Sequence, residues 1–231
     1  MRTLLTLFLG VFFCNLHASP LFEESQWQNL LAYQNKKSIA TKSNFYISPE
    51  GRTNPEAELS ATVKAFQENP DKYICEFPAR YKWLKEKLAE KILDFDIKKK
   101  CTELNIFKEQ LNAKSVSLIF SSYYLNSPAS AFGHTLMKFN LHDSSDQSNE
   151  LLDRAINFSA TVTTSNALVY AVLGMVGGFK GEFSMLPYFY KLREYNDFES
   201  RDIWNYELNL TKDEIDFMVM HLWELRLAKF N

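Results

Sequence analysis

The chain is predicted to fold as an α+β protein in which a helical lobe precedes an antiparallel sheet region. Two observations predict it. As far as residue 112, apolar residues recur at helical spacing between turn residues. From Lys114 onward the period changes, and segments rich in β-branched and aromatic residues alternate with polar or glycine-rich loops.

Residues 1–18 carry Arg2, an apolar run from Leu4 to Phe13, and Ala18 ahead of Ser19-Pro20, the layout of a secretory signal peptide. The run is shorter than the roughly 20 apolar residues that a spanning helix needs. Phe13 is too bulky for a lipoprotein cleavage site before Cys14, so Cys14 is expected to leave with the leader and the chain to reach the periplasm.

In the segment 19–112, Trp27, Leu30 and Leu31 have helical spacing within 23–33. Asn54-Pro55 reads as an N-cap and first helical residue, leading to Leu59, Val63 and Phe66 on one face. A third helix is expected from Pro78 through Trp83, Leu84 and Leu88 to Leu93. A fourth follows Cys101 with Leu104, Phe107 and Leu111.

Cys75 and Cys101 are the two cysteines left after the leader, in a compartment that oxidises thiols, so a disulfide is expected between them. Neither has the neighbours of a metal ligand, and no metal or cofactor is implied. Removing Arg2 takes the net charge from −2 to −3, and no basic face points to nucleic acid.

In the segment 113–231 the strand candidates are 115–124, 134–141, 154–163, 186–193 and 203–209. The run 167–179 is apolar but too short to span a bilayer, and reads as a buried helix or hairpin sooner than a lipid contact. Thr211 and Glu214 form a capping box opening a last helix through Ile215, Met218, His221 and Leu225.

The residues that could carry chemistry centre on Ser127-Pro-Ala-Ser-Ala-Phe-Gly-His134, a small-residue loop ending at a strand. His134 can act as a base near neutral pH, and Ser130 and Gly133 would let a substrate approach closely. His142 reads as solvated and His221 as a core histidine. Ser127 and Ser130 lack any elbow geometry, so no residue is an obvious nucleophile. Arg193, Glu194, Asp197, Glu199, Arg201 and Asp202 form a charged cluster, read as ion pairs locking a loop.

Cys75-Glu-Phe-Pro-Ala-Arg80 with Trp83-Leu84, the run Ser117 to Leu136, Ala155-Ile-Asn-Phe158, Gly177-Gly-Phe-Lys-Gly181 and the run Arg193 to Trp204 together resemble the Lnb N-terminal periplasmic domain family. The resemblance implies a permuted papain-like fold and thiol-dependent acyl transfer at the membrane surface, from a phospholipid donor to the N-terminus of a bacterial lipoprotein. It implies His134 as general base and Asn157 as the residue that orients the imidazole, the alternative for Asn157 being a strand amide that bonds backbone. The family's Asn-Cys-Ser motif, with the expected nucleophile, is absent from this chain, which as given is expected to be inactive. The rival readings are a peptidoglycan amidase or peptidase and a non-catalytic envelope protein.

Overall fold

The computed structural model describes residues 20–41, 43–124, 133–141, 150–162, 164–198 and 200–230. After a 3-10 turn at Leu21–Glu23, helix α1 (Ser25–Leu30) leads into a two-residue hairpin of β1 (Tyr33–Gln34) and β2 (Lys37–Ser38). Helices α2 (Pro55–Glu68), α3 (Pro70–Glu76) and α4 (Pro78–Lys87) then follow head to tail. Each begins with a proline, and Pro70 and Pro78 lack the N–H that would continue the helix before them. Asn54 and Asn69 cap the first two, accepting from the amides of Ala57 and Lys72.

The third helix expected through Leu93 stops at Lys87. Beyond it, Lys85 Nζ donates to the carbonyl of Ile92, and the turn folds Ile92 into the core. Helices α5 (Ile97–Lys100) and α6 (Thr102–Gln110) complete the lobe. Cys75 and Cys101 form the expected disulfide, with Cα atoms 5.3 Å apart, joining the last turn of α3 to the N-cap of α6. Trp27 stacks on Trp83 at 5.4 Å between ring centroids, and Phe66, Ile74, Phe77 and Leu84 pack with them.

The sheet contains β3 (Ser115–Ser121), β4 (His134–Asn140), β5 (Arg154–Thr161), β6 (Lys180–Pro187) and β7 (Ile203–Leu208), in the order β6-β5-β4-β3-β7 and antiparallel at every junction. The expected strand 186–193 is corrected: the strand lies earlier, and Tyr188–Arg193 is a helix, α8. Pro187 marks the switch, because its ring fixes φ as the chain turns into the helix.

One sheet face presents Val116, Phe139 and Ile156 to Ile215, Val219 and Leu222 of α9 (Lys212–Leu225), whose Thr211–Glu214 capping box forms as expected. On the opposite face Ile119, Leu136 and Ala155 lie beneath Tyr188 and Tyr195. A further correction concerns α7 (Ala167–Met175). It is a helix, but Leu168, Val172 and the following Val176 are exposed, with no element among the described residues packed over their side.

The lobe and sheet meet through a buried ion cluster. Arg80 donates from Nε to Glu224 Oε2 at 3.1 Å and from Nη1 to Glu58 Oε1 at 3.0 Å. Glu224 also accepts from the amides of Ala79 and Arg80, and Glu58 from those of Ile47 and Ser48. Every acceptor therefore faces several donors, which offsets part of the cost of removing these charges from water.

Candidate functional site

His134 is the first residue of β4 and pairs with Ser121, the last of β3. The chain reaches it through Gly133, at φ +84°, where a Cβ would stand 2.5 Å from the carbonyl oxygen of Ser121. The missing side chain at Gly133 is thus accounted for by the approach of β4 to β3. Ser130 lies outside the described residues.

Strands β4 and β5 pair Met137 with Ile156. One further step sets Asn157 across from Leu136, so His134 and Asn157 leave the same face as diagonal neighbours. Their side chains meet: His134 Nε2 lies 2.5 Å from Asn157 Oδ1. An amide oxygen only accepts, so Nε2 is the donor in this contact and Nδ1 is the ring nitrogen left to meet a substrate. Asn157 is buried, which holds the amide in place, whereas His134 is half-buried and reachable.

Tyr195 stands behind the imidazole, its ring centroid 6.3 Å away. Arg201 is buried beside it. Its Nη1 donates to Ser121 Oγ and to the carbonyl of Ser122, both at 3.3 Å, and its guanidinium faces the rings of Tyr195 and Tyr124. Ser121 Oγ in turn donates to the carbonyl of His134 at 3.4 Å. The charged cluster thus sends Arg201 inward to brace the histidine strand, while Lys191 pairs with Glu194 at 2.7 Å. The side chain of Asp197 and residue 199 fall outside what is described.

These residues floor a cleft of about 950 Å³ with two chemistries. His134, Asn157, Lys191, Glu194 and Arg201 make one end polar. Phe158, Tyr170, Leu173, Met175 and Phe179 make the other wall apolar. That wall comes largely from the 167–179 run, whose role as a lining was hidden because its apolar residues look the same whether they face a core or a cleft. Tyr195 was equally hidden, its only signal being its place in the run Arg193 to Trp204.

His221, on α9, turns its ring inward to a site where Nδ1 finds no hydrogen-bond partner among the described residues. Burial, and then the nearby Arg80, lower its pKa to about 4, so it stays neutral and stands apart from the cleft. Among the described residues no group of histidine, cysteine and carboxylate side chains could hold a metal ion, and both cysteines are in the disulfide. A separate depression of about 460 Å³ between α6 and α9 is lined by lysines, amides and carboxylates together with Leu111, Ile215 and Val219, and by no histidine.

Residues 19–87 match a domain of unknown function, DUF7843. No curated protein and no solved structure gives a match. Residues 103–231 match the Lnb N-terminal periplasmic domain, more than half of the chain, and the protein belongs to that family of periplasmic domains.

Proposed function

We propose that this domain serves thiol-dependent acyl transfer to the N-terminus of bacterial lipoproteins on a permuted papain-like sheet, with His134 as the general base and Asn157 as its orienting partner. The observation that carries the reading is the His134–Asn157 contact at the polar end of a cleft whose opposite wall is apolar. An imidazole held by Nε2, with no partner to Nδ1 among the described residues, can take a proton from a thiol, and an apolar wall suits an acyl chain.

The thiol comes from outside residues 19–231, since Cys75 and Cys101 are joined to each other. Its proton passes to His134 Nδ1 as the sulfur attacks the ester carbonyl of a phospholipid. The S–C bond forms, the C–O bond breaks, and the imidazolium returns the proton to the departing alcohol. The α-amine of the lipoprotein's terminal cysteine then attacks the thioester and loses a proton to His134. The amide forms, and the released sulfur recovers a proton from the imidazolium. Donor and acceptor both reside at the membrane surface, where the domain would work. Hydrolysis of peptidoglycan peptides would call for a polar wall where this cleft is apolar.

The test is complementation of a strain lacking its own lipoprotein N-acyltransferase, using the complete gene, with lipoprotein N-termini read by mass spectrometry. N-acylation by the parent and its loss in His134→Ala are expected. Equal acylation by His134→Ala, or none by the parent with intact expression, would overturn the reading.

A further inference from the structure

We propose that the outer face of α7 lies in the boundary between headgroups and acyl chains of a phospholipid bilayer and sets the mouth of the His134 cleft against the lipid. The purpose of that contact rests on the acyl-transfer reading above; the contact itself rests on the surface.

At about 100° per residue, a nine-residue helix divides into two sides. Tyr170, Gly174 and the following Gly177 look into the cleft. Leu168, Val172 and, just past the helix, Val176 run along the other side, 79%, 53% and 71% exposed. The three form one apolar strip that faces water along the helix.

The chemistry of the surroundings selects the occupant. No charged residue occurs in 155–179, although 23% of the chain is charged. A charged partner would find no counter-charge within this run, and charge returns along the chain at the exposed Lys180. Size excludes a second copy of the chain as the natural cover. Nine residues at about 1.5 Å each give a strip on the order of 150 Å², against about 800 Å² per partner in a stable protein interface. Immersion has no such minimum, and interfacial helices sink about 5–10 Å. No helix among the described residues is long and apolar enough to cross a membrane, so α7 would lie in the surface. Because cleft wall and outer strip are two sides of one helix, an acyl chain leaving the bilayer would meet apolar surface all the way to His134.

The test is flotation of the protein purified from the periplasm with vesicles of phosphatidylethanolamine and phosphatidylglycerol. Binding that survives high salt is expected, since screening removes only charge-driven association. Replacing Leu168, Val172 and Val176 together by Asp should lower binding roughly tenfold or more with the melting temperature unchanged, because all three sites are exposed. Emission from a Val172→Trp variant should be quenched by phospholipids brominated in their acyl chains. His134→Ala should float like the parent. Unaltered binding by the triple variant, no quenching, or a dimer that the triple variant dissolves would each overturn the proposal. Loss of flotation in the triple variant beside full acylation by His134→Ala would sink the catalytic reading alone.

Discussion

Arg80 and Glu224 are 144 positions apart in the chain and meet at 3.1 Å with neither side chain exposed. With Glu58 they place one positive and two negative groups in the seam between lobe and sheet. Burial holds Glu224 up at about 7 and raises Glu58, against the lowering effect of Arg80 and of the backbone amides aimed at both.

Arg80→Met should therefore destabilise the protein by about 3–5 kcal/mol at pH 7, since it leaves two carboxylates buried without a cation. Arg80→Lys should not restore it, because an ammonium cannot reproduce the forked contacts to Glu58, Glu224 and the carbonyl of Phe45. Without the guanidinium both carboxyl pKa values rise further above their unfolded values. The deficit should then widen between pH 7 and pH 9, where the parent's Glu224 ionises beside Arg80 while the variant's carboxyls stay protonated against an ionised unfolded chain. Urea unfolding at the two pH values measures this.

His221 carries the opposite sign. Its pKa is about 4 in the folded state against an ordinary 6.5, so between these values the unfolded chain binds the extra proton. The stability it contributes is present above pH 6.5 and declines as the pH falls toward 4, by about 3 kcal/mol if the full shift acts. His221→Leu should gain on the parent steadily over that window. Unfolding midpoints that differ equally at pH 7 and pH 4.5 would contradict it.

The Cys75–Cys101 disulfide closes a loop of 26 positions. Replacing both cysteines by Ser should cost about 3 kcal/mol, on the loop-entropy model. Reductant should lower the parent's urea midpoint toward the variant's and leave the variant unmoved.

Asn157→Ala should lower kcat for acyl transfer on the order of tenfold to hundredfold with KM little changed, because the imidazole is then free to turn away from the thiol. A pH–rate profile separates this role from simple loss of structure. The shape of the profile should persist in the variant, with only its height lowered and the melting temperature within a few degrees of the parent's. A rate equal to the parent's would return Asn157 to the rank of a strand amide.

How far these features could be read in advance depended on their range along the chain. Asn54-Pro55 and Thr211 to Glu214 were legible because a cap and its helix are a few residues apart. The α3 helix was not resolved, since Asn69-Pro70 and Phe77-Pro78 cut it into a piece too short to show a period. Strand β6 was placed too late because Tyr188 to Arg193 is as aromatic as a strand, and only Pro187 hints at the change. The exposure of α7 could not be seen, as apolar spacing tells which residues share a side and not whether anything covers it. Glu58, Arg80 and Glu224 each look like a charge on an amphipathic helix until the lobe and α9 are brought together. The meeting of His134 and Asn157 came from family resemblance and not from spacing.

The last helix also constrains the order of assembly. Glu224 completes the partners of Arg80, Trp223 donates to the carbonyl of Cys75 at 2.7 Å, and Met220 fills part of the lobe's own interior. A chain emerging N-terminus first would therefore hold an unfinished lobe, with a guanidinium short of a counterion, until α9 had been delivered. Folding of the lobe thus waits on a helix more than a hundred positions downstream, and the lobe severed at residue 112 should fail to reach a cooperative native state.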